Sequence, residues 1–290
     1  MPRTVDEGFR DFLPKLTPSG AESDAAKAHR VSIESRLKRD FGLRRFVRIG
    51  SFGNGTSISG YSDVDYLASL GRDTLTNNST YSLGKIRDAL ADRFPNTNVR
   101  VSCPVVVVPF GTKKSETTEV VPSDYMGDQN DFYVYDIPDC QGGWMRASPD
   151  AHIAYVASVN DKLSGKVKPL IRFLKAWKFF RSVPISSFYL ELRVAKYASD
   201  ESSIVYDIDV KRVLRMLWDG QLASMQDPMG ISGYIPACKS DALMADALSK
   251  LATAVTRAEK ALEAKDKGNI YDAFDWWRLL YNNEFPTYYR

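Results

Sequence analysis

The sequence predicts an α+β fold, with a mixed β-sheet and its helices in the first half and a purely helical second half. Three observations predict it. β-branched runs and turn signals crowd residues 44–137, whereas from about Ser148 onward apolar residues recur at helical spacing. A chain of 290 residues, 44% hydrophobic and 26% charged, also has enough apolar mass for one large domain or two packed lobes.

Residues 23–41 have helical periodicity, with Ala26, Val31, Ile33, Leu37 and Phe41 available to a buried side, and Gly42 ends the helix. This helix is expected to pack against the helical second half. Residues 44–49 read as a strand leading into the glycine-rich turn Gly50-Ser51-Phe52-Gly53-Asn54-Gly55-Thr56-Ser57, and 63–70 as a second strand. Residues 83–94 form a helix closed by Pro95-Asn96. Two β-branched runs, 99–110 and 117–121, flank the polar turn Gly111-Thr112-Lys113-Lys114, a hairpin signal, and 132–137 adds a strand. Helices follow at 150–163, 166–181, 187–198, 210–217 and 240–265. Mobile links are expected at 111–116, 123–130 and 227–233. The division expected is a front lobe, 1–147, whose N-terminal helix bridges to the other half, and a helical lobe, 148–290.

Composition excludes several function classes. The longest apolar stretch, 104–110, is far short of the ~20 residues that cross a bilayer. The N-terminus mixes charges where a secretory leader has an apolar core, so the cytosol is the expected compartment, with no membrane partner. Cys103, Cys140 and Cys238 are odd in number and far apart, which suits neither a disulfide framework nor a zinc site; they read as reduced packing residues. Only two histidines, His29 and His152, are present, and His152 reads as structural. The 39 basic and 36 acidic side chains give a net charge of +3, a balance that does not demand a polyanionic partner. The basic cluster Lys38-Arg39, Arg44-Arg45 and Arg48 reads as a solvated helix end and strand edge, and Trp276, Trp277 and Tyr281 read as core.

One constellation carries chemistry. Gly50-Ser51 ends a strand, eleven residues intervene, and Asp63-Val64-Asp65 opens the next strand. Side chains alternate along a strand, so Asp63 and Asp65 share a face and are close enough to share a cation. Two carboxylates so near each other repel, and a hard divalent ion resolves the conflict; magnesium prefers such oxygen ligands and keeps positions open for phosphates. Glu119 supplies a third carboxylate if its strand lies beside the first, and two metals could then sit at the ~3.5–4 Å typical of phosphoryl transfer. Backbone N–H groups of the glycine-rich turn, with the Ser51 hydroxyl, suit a triphosphate.

Gly50-Ser51, the gap, Asp63-Val64-Asp65 and Glu119 resemble the signature of the polymerase-beta-like nucleotidyltransferase superfamily. The run Lys168-Pro169-Leu170-Ile171-Arg172-Phe173-Leu174-Lys175-Ala176-Trp177, with Ser186-Ser187-Phe188-Tyr189-Leu190-Glu191, resembles the helical region of the oligoadenylate synthase and cyclic GMP-AMP synthase group. The ending Tyr281-Asn282-Asn283-Glu284-Phe285-Pro286 is similar to the bacterial branch, the cGAS/DncV-like nucleotidyltransferases or CD-NTases of SMODS type. The resemblance implies a nucleotidyltransferase lobe facing a helical lobe across a nucleotide-binding cleft. It also implies that Asp63, Asp65 and Glu119 are catalytic and hold two magnesium ions, with manganese as the substitute. Gly50, Ser51, Lys175 and Ser187 would bind the donor triphosphate, and Asn160 a base. Glu119 stands where many relatives carry aspartate. No cysteine–histidine cluster is present, so zinc-ribbon DNA sensing is not expected.

The activity so implied is template-independent synthesis of a cyclic oligonucleotide second messenger from nucleoside triphosphates, in bacterial anti-phage signalling. A downstream effector would bind the product, a regulatory protein partner is compatible with this, and the enzyme is expected to be a monomer. Two alternatives stay open: a nucleotidyltransferase making linear oligonucleotides or modifying a small molecule, protein or RNA end, and a catalytically silent nucleotide-binding sensor. Base identity, ring size and linkage are not written in these motifs.

Overall fold

The computed structural model describes residues 2–18, 24–61, 63–111 and 116–289. Its sheet is built on valine-rich strands whose alternate side chains serve two different faces. Strands β1 (Arg45–Arg48), β2 (Val64–Leu70), β3 (Arg100–Ser102), β4 (Val105–Phe110) and β5 (Glu116–Gln129) lie in the order β1-β2-β5-β4-β3. The β2–β5 pair is parallel and the others are antiparallel, so the sheet is mixed. One face presents Ala68, Leu70, Val106, Val108 and Val120 to α2 (Asp24–Phe41) and α4 (Ser79–Arg93), a dry layer in which Ile33, Leu37, Leu83, Ile86 and Leu90 are buried. The other face carries Asp65 and Glu119 above a small apolar floor of Val105, Val107, Val121, Ile49 and Ile137. A hydrophobic layer on one side thus holds rigid the strands that present carboxylates on the other.

The packing of α2 departs from the sequence reading. Its buried residues Ile33, Leu37 and Phe41 follow one line at i, i+4 and i+8, and that line meets the sheet and α4 rather than the helical half. Val31 lies off the line and is 60% exposed. Ser23, the expected first residue of the helix, lies outside the described residues. The helix that joins the helical core is α1 (Val5–Leu16), for which the sequence reading had no element. A Thr4–Glu7 capping box starts it, and Phe9 and Phe12 enter an aromatic cluster with Phe173, Trp277, Tyr281 and Phe285. Trp277 and Tyr281 are core residues, and Trp276 lies under the Lys260 ammonium.

Three further differences concern loops and cysteines. Residues 123–130, expected to be a mobile link, are mostly strand. β5 runs on through Gln129, bends at a bulge between Tyr125 and Gly127, and pairs with β6 (Phe132–Pro138), which pairs with β7 (Trp144–Ala147). Cys103 and Cys140, read as reduced packing residues, form a disulfide with Cα atoms 5.5 Å apart. The 37 residues separating them hid a proximity created when the β3–β4 corner and the β6–β7 turn meet; Cys238 is the free thiol. The segment 227–233 is pinned: Asp227 accepts hydrogen bonds from the N–H groups of Met229, Ile231 and Ser232. Thr112, Lys113 and Lys114 of the expected hairpin turn lie outside the described residues, while the antiparallel β4–β5 pairing on either side is present.

The helical half comprises α5 (Pro149–Lys162), α6 (Val167–Phe180), α7 (Ser187–Ser199), α8 (Tyr206–Asp219), α9 (Asp241–Asp266) and α10 (Ile270–Leu280), with a two-residue hairpin of β8 (Met225–Gln226) and β9 (Tyr234–Ile235). Their apolar stripes meet in one large core that includes α1. The sheet is joined to this half at specific points. Arg45 donates two hydrogen bonds to the Asp150 carboxylate, at 2.6 and 2.8 Å, and one to the Tyr135 hydroxyl at 2.8 Å. Within the helical half, His152 on α5 and Asp227 in the β8–β9 turn, both buried, pair at 3.0 Å. The arginines of the expected solvated cluster therefore include one that fastens the two halves. Among the described residues no helix is long and apolar enough to cross a membrane.

Candidate active site

The site begins with a close approach that only glycine permits. Gly50 has φ +59°, and a Cβ placed there would lie 2.1 Å from Oδ2 of Asp65. The Ile49 N–H donates to the Asp65 carbonyl at 2.9 Å, locking the end of β1 to β2 where the chain turns into the single helical turn α3 (Gly50–Gly53). Ser51 rides on that turn, so its position is fixed relative to Asp65. The register of β2 against β5 then sets Glu119 directly opposite Asp65. Parallel strands are ~4.8 Å apart, and directly opposed residues share a face. β5 thus lies beside β2, the condition on which Glu119 could join the aspartates.

Electrostatics mark this pair. Burial pushes the Asp65 carboxyl well above the ordinary carboxylate range, and the neighbouring Glu119, Asp63 and Glu191 add to it. Burial and the charge of Asp63 raise Glu119 too, while Arg100 and Lys239 pull it back. Asp65 and Glu119, directly opposed in the register, titrate together as a pair whose burial raises both above the ordinary carboxylate range. Asp63 precedes β2 rather than lying on it and is exposed, and partial burial of its carboxyl raises its pKa while Arg100 pulls it back. Among the described residues no three His, Cys, Asp or Glu side chains are drawn into one ion-holding group. The pair is assembled and Asp63 stands open beside it. A crowded, oxygen-only donor set with raised pKa values, against a glycine that leaves it room, fits a hard divalent cation.

The helical half grips the loop after α3. Glu191 on α7 is the hub: it accepts from Lys175 Nζ at 2.7 Å, Thr56 Oγ1 at 2.6 Å and Asn54 Nδ2 at 2.9 Å, and all four residues are buried. Arg172 on α6 donates to the carbonyls of Gly55 at 2.7 Å and Ser57 at 3.3 Å. Lys178, one turn beyond Lys175, has its pKa pushed down to about 8 by burial and by Lys175. Lys175 is therefore next to the Ser51 loop, but engaged with Glu191.

Ser187 is the first residue of α7, and the cap is Ser186, whose hydroxyl accepts from the Tyr189 N–H, so capping makes no claim on the Ser187 hydroxyl. The α3 turn and α7 pack together, and Ser187 opens that helix. Asn160 is not brought there by any hydrogen bond: its Oδ1 accepts from the Lys168 N–H and its carbonyl from the Gly165 N–H, shaping the α5–α6 turn. Sequence reasoning missed Glu191 and Arg172 as loop holders, and Arg100 and Lys239 as cations whose charge lowers the pKa of Glu119. Spacing offered no signal for Arg100, because it depends on the sheet order.

Residues 3–160 match the family model described as the Second Messenger Oligonucleotide or Dinucleotide Synthetase domain. Among curated proteins, the chain is 24% identical over 253 residues to a probable cyclic nucleotide synthase of Bacillus cereus, covering 81% of this chain and 75% of that protein. It is 24% identical over 311 residues to a cyclic AMP-AMP-AMP synthase of an Acinetobacter species, covering 98% and 86%. The solved structure of CdnC from E. coli MS115-1 with ATP shares the fold, with TM-score 0.75 at 17% identity over 97% of this chain and 98% of that one. The same CdnC in complex with HORMA-deltaN gives 0.74 at 16% identity, over 97% and 98%.

Proposed function

The chain belongs to the Second Messenger Oligonucleotide or Dinucleotide Synthetase family, and from that premise we propose that it joins nucleoside triphosphates, without a template, into a small cyclic oligonucleotide with release of pyrophosphate. The observation that carries the reading is the pairing of Asp65 with Glu119 across two parallel strands, against the Gly50-Ser51 corner. In this reading the donor triphosphate lies along that corner, with the Ser51 hydroxyl and turn N–H groups on its oxygens. Ser187 approaches it from α7, and Lys175 shares its charge between Glu191 and the phosphates. Asp63, Asp65 and Glu119 would hold magnesium, or manganese in its place. The ions supply charge neutralisation at the phosphates and ease loss of the acceptor ribose proton.

Glu191 and Arg172 hold the loop that follows the Ser51 turn, residues 54–57, so little ordering is left there for substrate binding to accomplish. Asn160 is assigned to the α5–α6 turn and not to a base. Residues 1–147 act as the catalytic lobe and 148–290 complete the cleft. The linear intermediate turns over so that its own triphosphate becomes the donor and the ring closes. The enzyme works as a cytosolic monomer in bacterial anti-phage defence, and a separate effector protein reads the product. The likeness to CdnC, solved with HORMA-deltaN, supports a regulatory protein partner.

The test is mass spectrometry of the product formed from mixed triphosphates and magnesium. A phosphatase-resistant cyclic oligonucleotide is expected. A linear product with a labile terminal phosphate, or a nucleotide transferred to another molecule, would replace the reading with that activity.

A further inference from the structure

The strand registers place five residues in one row across the cleft face: Ile49, Asp65, Glu119, Val107 and Arg100. Directly opposed residues share a face, so Arg100 on β3 projects from the same side of the sheet as the carboxylates, two strand spacings or roughly 10 Å beyond Glu119. Arg100 is exposed, and among the described residues no carboxylate pairs with it and no hydrogen bond engages its side chain. Its charge lowers the pKa of Asp63 and of Glu119, in keeping with its place in that row.

The row has a direction. Gly50-Ser51 lies at the β1–β2 end, the carboxylates in the middle and Arg100 at the β3 end. If the donor triphosphate occupies the Ser51 end, as proposed above, the attacking ribose comes from the other side, and the acceptor's own 5′-phosphates extend toward β3. We infer that Arg100 binds the 5′-polyphosphate of the acceptor nucleotide and selects acceptors that carry one. Such selection has a chemical purpose. Only an acceptor that keeps its triphosphate yields a linear intermediate able to become the donor in the ring-closing step, so a nucleoside or monophosphate acceptor would end in a dead product. A guanidinium suits the task, because its fork binds phosphate oxygens in pairs.

This inference rests on the proposed donor position, and the experiment separates the two. A 2′,3′-dideoxynucleoside triphosphate serves as a donor that cannot accept, and the acceptor is either a nucleoside triphosphate or the matching nucleoside. The wild type is expected to prefer the triphosphate acceptor. In Arg100→Ala the ratio of kcat/KM for the two acceptors should fall about 10–100-fold, the range set by one charge-assisted hydrogen-bonded contact. Arg100→Lys should restore part of it. An equal loss with both acceptors, or an unchanged ratio, would overturn the inference. Calorimetry with inorganic tripolyphosphate and magnesium provides a readout independent of turnover: two sites are expected in the wild type and one in Arg100→Ala. If the wild type makes no product, the proposed function falls, and this stoichiometry still decides the role of Arg100. Two sites in the variant would overturn it.

Discussion

Gly50 shows how much chemistry can hang on a missing methyl group. Its left-handed φ disfavours other residues, and a Cβ there would collide with the Asp65 carboxylate. Gly50→Ala should lower kcat/KM by on the order of 10²-fold, the scale of a 1 Å misplacement, with the fold retained by circular dichroism; wild-type turnover would contradict this. The carboxyl pair makes a second prediction. Raised pKa values mean that the folded chain binds more protons than the unfolded chain between the ordinary carboxylate pKa, about 4, and the raised ones. The pair therefore costs progressively more stability as pH rises through that window. In chelator, the melting temperature of the wild type should fall from pH 5 to pH 8 relative to that of Asp65→Asn, and magnesium at pH 8 should recover the wild type but not the variant. Parallel curves without a magnesium effect would rule this out. At this scale the sequence was informative for the Gly50-Ser51 turn and for Asp65, whereas the strand alternation expected to align Asp63 with Asp65 is not realised, because β2 begins at Val64. It was silent on Arg100, which meets the site only through the order of four strands.

Among the elements, α3, α6 and α7 act as one unit through Glu191. Removing one partner of a buried ion pair strands the other, so Glu191→Ala should cost about 3–5 kcal/mol in denaturant unfolding, with Lys175 left charged in the interior. A loss under 1 kcal/mol would show that water or another group replaces the carboxylate. Five helices of the second half were legible because their apolar residues recur at helical spacing, whereas α10 was not read as an element. α1 was legible too, in the Thr4-x-x-Glu7 box and the Phe9–Phe12–Leu16 stripe, but reading the N-terminus as a question about targeting passed over it. The packing of α2 was not legible, since an apolar stripe says that a helix is covered and not by what. The second half of β5, with Asp124, Gly127 and Asp128, has the composition of a turn; cross-strand pairing to β6 overrides it.

At the scale of the whole molecule, the two halves meet at Arg45–Asp150, at Arg172 on the Gly55 and Ser57 carbonyls, and at Glu191 on Asn54 and Thr56, so the cleft is walled by both and owned by neither. The disulfide is also a whole-chain feature, joining two corners whose meeting no local pattern announces. Protein purified without reductant and unfolded should titrate one thiol, that of Cys238, and three would show that the bridge does not form. The central claim is that Asp65 and Glu119, seated against Gly50-Ser51, are where nucleoside triphosphates are joined. Its most direct test is pyrophosphate release from mixed triphosphates with magnesium, comparing the wild type with Asp65→Asn and Glu119→Gln at matched folding. Release by the wild type and its loss by at least about 10²-fold in each variant is the predicted result, in line with the loss of a transition-state charge contact. Undiminished release from a folded Asp65→Asn protein would contradict the account.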